Sequence, residues 1–118
     1  MKKILALFLF ALICSSCDSG TYEELEEPTV IDGPVTYANT AKAIVDANCI
    51  RCHSAGGAAS FRPLTTYLEV KDAVQNTNLL DRIQRQNGEP GQMPQTGRMP
   101  QDKINLLLQW RAEGLLEN

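Results

Sequence analysis

Cys49-Ile50-Arg51-Cys52-His53 places two thiols three positions apart, with an imidazole directly behind the second. Thiols at that spacing, at the end of a helical turn, can each add across a vinyl group of one porphyrin, and the adjoining imidazole can then ligate its iron. The run reads as a c-type haem attachment signal, with Cys49 and Cys52 as covalent anchors and His53 as proximal iron ligand. Two other chemistries use paired cysteines. A structural zinc site needs four ligands, but His53 is the only histidine, and the remaining cysteines, Cys14 and Cys17, lie in the N-terminal segment. A thioredoxin-like dithiol would follow a strand in an alternating strand and helix pattern, which this sequence lacks.

An iron so held has a second axial position. With one histidine, ligation by two imidazoles within one chain is excluded, and beyond Met1 the only methionines are Met93 and Met99. Both precede proline in Asn87 to Pro100, a stretch with three prolines and three glycines that is too long to be an idle connection in a small domain. Met93, in Gly91-Gln92-Met93-Pro94, lies deep in this loop and is the preferred distal ligand. Met99, at the mouth of the last helix, is the alternative ligand or else a hydrophobic staple. If neither binds, both fill the core and the iron is left open. Pro63, ten residues past His53, could turn its carbonyl toward the imidazole Nδ1–H and aim Nε2 at iron. Arg82 and Arg85 could reach a propionate, with solvated surface as the other reading.

Helices must position these groups. A first helix is expected from about Asn39 or Thr40 to Asn48, with Tyr37, Ala41, Ile44, Val45 and Asn48 on one face leading into Cys49. The small residues Ser54 to Ser60 let backbone pass close to a flat ligand. Thr65 or Thr66 caps a second helix to about Gln75, with Leu64, Leu68, Lys71 and Val74 on one face. Asn78 caps a third to about Gln86, carrying Leu79, Leu80 and Ile83 inward. The last runs from Gln101 or Asp102 to Glu113, with Pro100 at its start and Gly114 at its stop. Its apolar face holds Ile104, Leu107, Leu108, Arg111 and Leu115, with Leu106 and Trp110 on the flank. The expected fold class is all-α, and the 83 residues from Thr36 to Asn118 are one domain for which a haem would supply much of the apolar centre.

Ahead of the domain, Met1-Lys2-Lys3 and the apolar run Ile4 to Ile13 read as an export signal over residues 1–16, too short to span a bilayer. The small residues before Cys17 resemble the processing site of bacterial lipoproteins, which implies that Cys17 is lipidated and anchors the protein at a membrane outside the cytoplasm, facing the periplasm or cell surface. Cys14 stands where that family prefers an aliphatic residue. Residues 17–35 form an acidic tether: from Asp18 to Val35 there are six acids and no base, too little apolar surface to offset the entropy of ordering. Nine bases meet eight acids from Thr36 onward, so the domain lacks the clustered positive charge that nucleic acid binding requires.

C-x-x-C-H behind one helix, a Met-Pro loop and a closing amphipathic helix together resemble a small class I monohaem cytochrome c domain over the whole of Thr36 to Asn118. The resemblance implies about four helices wrapped around one covalently attached haem c, the first and last packed across each other. It also implies one-electron transfer between redox partner proteins, rather than an enzyme. The competing expectation is a haem sensor or small haem enzyme that binds a diatomic gas or peroxide at an open iron.

Overall fold

The computed structural model describes residues 31–118. The export signal, Cys17 and the tether up to residue 30 lie outside the described residues. Those described form a π-helical turn, Tyr37–Ala41, running straight into α1 (Lys42–Asn48), then α2 (Tyr67–Asn76), α3 (Leu79–Gln84) and α4 (Gln101–Ala112). Among them there is no strand, so the architecture is helical, and no helix is long and apolar enough to cross a membrane.

The first helix begins earlier than its sequence suggests. Thr36, not Asn39 or Thr40, is the cap: its Oγ1 accepts from the Asn39 N–H at 3.2 Å, and Asn39 Oδ1 accepts from the Thr36 N–H at 2.8 Å. Asn39 thus fills the reciprocal place usually taken by Glu or Gln. At α2 the Thr66 cap is as expected, closed by Glu69 in the same reciprocal manner. At α3 the Asn78 side chain makes no cap bond, and Thr77 Oγ1 accepts from the Leu79 N–H instead, at 3.2 Å.

One core joins all four helices: Ala41, Ile44 and Val45 meet Val70, Ala73 and Val74, then Leu80 and Ile83, then Ile104, Leu107 and Trp110. Two expected faces turn out differently. Leu68 is 71% exposed, because it sits two residues, about 200° of helical rotation, from Val70 at the centre of the buried face. Trp110 is fully buried in the last turn of α4, while Arg111 faces solvent.

The start of the first helical segment and the end of the last are in contact. Tyr37 lies 6.0 Å from Trp110 and 5.5 Å from Tyr67, ring centre to ring centre. After α4, Gly114 and Leu115 take positive φ and turn the tail back over the Tyr37 turn. The tail's carbonyls at Leu116 and Glu117 accept from the Tyr37 and Ala38 N–H groups, and Leu116 also accepts from Trp110 Nε1 at 2.8 Å.

Candidate functional site

The Cys49–His53 segment grows out of α1. Cys49 N–H donates to the Val45 carbonyl at 2.8 Å, and the Cys49 carbonyl accepts from both Cys52 N–H (3.1 Å) and His53 N–H (2.9 Å). The following loop is clipped onto this turn at two points: Ala59 N–H donates to the Cys52 carbonyl and Leu64 N–H to the His53 carbonyl, both at 2.9 Å. Gly57 packs so closely that a methyl group there would lie 2.2 Å from the Cys52 carbonyl oxygen.

His53 is half-buried, and its Nδ1 meets the Arg62 carbonyl oxygen at 2.7 Å. A carbonyl can only accept, so Nδ1 carries the proton, and in the neutral ring the lone pair that a metal-ligating imidazole requires is then on Nε2. The Pro63 carbonyl expected in this role is not the one used. Pro63 stands between the two points of contact, Arg62 O on the ring and Leu64 N–H on the His53 carbonyl. Its fixed φ and missing N–H shape the turn while its neighbours supply the bonds.

His53 opens onto a cleft of about 280 Å³. Val45, Val70, Val74, Ile83 and Leu107, drawn from all four helices, and Leu64 from the loop before α2 give it apolar walls, and Cys49, His53, Met93 and Met99 all line it. Arg62 and Arg82 contribute its polar edge, and Phe61, 86% exposed, also borders it. Cys52 is exposed on the turn that leads into His53, and neither it nor Pro63 is part of the lining. Wider depressions beside Asn39 and beside Arg85 are more open to solvent and lack the apolar walls of this cleft. Burial pushes the Cys49 thiol up to about 11, with the Asp46 charge adding to the shift. Cys49 is therefore a neutral thiol near pH 7, unlike the low-pKa cysteine of a redox dithiol.

The two methionines differ in their surroundings. Met99 is 3% exposed and belongs to the core, whereas Met93 is half-buried and packs against that core from the cleft. Arg82 holds the Met93 segment to α3: its Nε donates to the Gly91 carbonyl at 2.8 Å, and its own carbonyl accepts from the Met93 N–H at 3.1 Å. Arg85 bonds the Pro90 carbonyl and pairs with Asp81 at 2.5 Å. Gly91 takes φ +78°, and a methyl on it would lie 2.5 Å from the Arg85 guanidinium. Both arginines therefore brace the loop.

A flat group bearing two vinyl arms and a central metal fits this donor set: a thiol, an imidazole with its tautomer fixed and a thioether share one apolar cleft, with the second thiol on the adjoining turn. A bare metal ion does not, since among the described residues no three His, Cys, Asp or Glu side chains converge. The roles of the Arg62 carbonyl, Arg82 and Gly57 escaped sequence reasoning; the only available signals were the spacing to Pro63 and the small-residue run after His53. The chain matches no family model, no curated protein and no solved structure.

Proposed function

We propose that this domain is a one-electron carrier of the cytochrome c kind, its helices wrapped around one haem c. Cys49 and Cys52 form the covalent thioethers, His53 is the proximal ligand and Met93 the distal one. The observation that carries this reading is the His53 Nδ1 bond to the Arg62 carbonyl, made by an imidazole that shares an apolar cleft with Cys49 and a loop methionine. A haem held there supplies a ferrous/ferric couple, and a thioether ligand in an apolar pocket sets its potential above that of two-imidazole ligation.

The chain's own residues do the rest. The Arg62 carbonyl fixes the imidazole, the valine and leucine walls would keep water from a haem held in the cleft, and the braced loop presents a thioether to the same cleft. Met93 is preferred over Met99 because Met99 is committed to the core. The N-terminal segment adds export, lipidation at Cys17 and an acidic tether. These would let the domain move between redox partners at one membrane surface and raise their effective concentration.

The test is the protein exported from a host that attaches haem c. Denaturation should leave haem on the chain. The oxidised spectrum should show the weak red-edge charge-transfer band of a thioether on ferric haem, lost in Met93→Ala and kept in Met99→Ala. The reduced protein should bind carbon monoxide slowly and weakly. Haem that washes out refutes covalent attachment. A missing band with fast carbon monoxide binding would replace the carrier with an open-iron sensor or enzyme, and loss of the band only in Met99→Ala would transfer the ligand role to Met99.

A further inference from the structure

We propose that Gln92 is the positioning residue that presents the Met93 thioether, an inference that rests on the haem reading above. Between α3 and α4 no helix or strand holds the chain, and the segment contains Gly88, Gly91 and Gly97 at positive φ. Gln92 is nevertheless buried there, the only buried polar side chain of this loop.

Both N–H groups and the oxygen of its carboxamide are bonded. Nε2 donates to Asn87 Oδ1 at 3.0 Å and to the Pro94 carbonyl at 3.2 Å, while Oε1 accepts from the Gly88 N–H at 3.0 Å. The amide can point only this way, because Gly88 N–H must donate and the Pro94 carbonyl must accept. Asn87 Oδ1 also accepts from the Arg98 N–H at 2.7 Å. One side chain thus ties the start of the loop to the residue after Met93 and, through Asn87, to the loop's far end. Met93 lies between the two anchored residues, Gln92 and Pro94, and its own N–H is held by the Arg82 carbonyl.

A thioether on an unbraced glycine-containing loop would face the cleft in only a fraction of molecules, and its apparent strength as a ligand would fall by that fraction. Removing the buried amide leaves the Gly88 N–H without its acceptor and takes one of two donors each from Asn87 Oδ1 and the Pro94 carbonyl. That should raise the share of molecules with Met93 off the iron roughly tenfold or more.

The experiment uses the full-length holoprotein and four variants, Gln92→Ala, Gln92→Glu, Asn87→Ala and Asn87→Asp, with Met93→Ala as reference. The readouts are the thioether charge-transfer band, the carbon monoxide association rate, covalent haem per chain, helicity, and hydrogen exchange at the Gly88 and Arg98 amides. Gln92→Glu keeps the volume but turns a donor into an acceptor facing two oxygens, whereas Asn87→Asp keeps an oxygen for both of its donors. The expected result is a weakened band and roughly tenfold faster carbon monoxide binding in Gln92→Ala, Gln92→Glu and Asn87→Ala, with haem content and helicity retained. Asn87→Asp should match the wild type. If the band is lost in Met93→Ala but intact in Gln92→Ala and Asn87→Ala, the inference fails alone. Asn87→Asp losing the band as fully as Asn87→Ala would overturn it too. A wild type without the band, or Met93→Ala with it, overturns both this inference and the haem ligation beneath it.

Discussion

Gly57→Ala tests whether the loop pressed against the attachment turn sets its geometry. The added methyl would lie 2.2 Å from the Cys52 carbonyl oxygen, 2.7 Å from its carbon and 3.1 Å from the Arg51 carbonyl oxygen. All three are backbone atoms, so no rotamer change relieves the contact, and the two segments must part by about 1 Å to reach ordinary packing distances. Overpacking of this kind costs about 1–3 kcal/mol, and the stiffer unfolded chain returns ~0.4–1 kcal/mol. The net loss of about 1–2 kcal/mol should lower Tm by roughly 5–15 °C in a domain of this size. Gly56→Ala is the matched control. Gly56 has φ +80° but no atom within 4 Å of the position a methyl would take, so its alanine variant carries left-handed strain of ~1–2 kcal/mol and no collision. Both variants should melt earlier. Only Gly57→Ala should also displace the Cys52 carbonyl, with His53 next to it, and so, on the proposed haem reading, lower covalent haem per chain and weaken the thioether charge-transfer band. A Gly57→Ala protein with wild-type Tm and full haem content would refute the reasoning, and so would Gly56→Ala spoiling the haem spectrum to the same degree.

Two further outcomes follow from particular contacts. Glu69 accepts from the Thr65 Oγ1 and N–H and from the Thr66 N–H, at 2.8, 2.8 and 3.0 Å, and these bonds hold its carboxyl below the usual glutamate range, the Thr65 hydroxyl contributing most. The unfolded chain then binds a proton more readily than the folded one, so this contribution is complete above the ordinary glutamate pKa and disappears as pH falls through the folded value. Thermal melts of wild type and Glu69→Gln should differ most near neutral pH and converge as pH falls below the ordinary glutamate range, and a difference that stays constant or grows on acidification would contradict this. Arg62 reaches His53 through its carbonyl, and its side chain makes only an exposed ion pair with Asp72 at 3.5 Å. Arg62→Ala should therefore change stability by less than about 0.5 kcal/mol and leave the exchange rate of the His53 Nδ1 proton as in the wild type, whereas Pro63→Ala, which frees φ in the turn, should raise it. Faster exchange in Arg62→Ala would show that the guanidinium matters after all.

What the sequence revealed and what it hid divide by the kind of atom involved. Helix periodicity placed Ala41, Ile44 and Val45, and likewise Ile104 and Leu107, on buried faces, because a helix's apolar stripe is written in side-chain type. The Thr66 cap was legible for the same reason, through its hydroxyl and the carboxylate of Glu69 three residues on. Thr36 was not, because Asn39 looks like a cap in its own right and its reach back to the Thr36 N–H depends on the turn already being made. Leu68 shows the opposite failure: an apolar residue was assigned inward by type, when the phase set by Val70 and Val74 turns it out.

At the candidate site the division sharpens. The groups with chemistry of their own, Cys49, His53 and Met93, can be named from spacing. The groups that aim them act through backbone or through absence: a carbonyl at Arg62 that any residue would carry, a missing methyl at Gly57, a left-handed φ at Gly91. Such contributions leave no mark on residue type beyond glycine and proline. Gln92 is the exception. It aims Met93 with side-chain atoms, yet a glutamine in a polar loop reads as solvated surface until its burial and its three partners are seen. Substitution should then separate the two classes. At backbone-acting positions such as Arg62, replacing the side chain leaves the site unchanged unless it alters φ or adds volume. At Gln92, a change of one atom from nitrogen to oxygen should be enough to release the ligand.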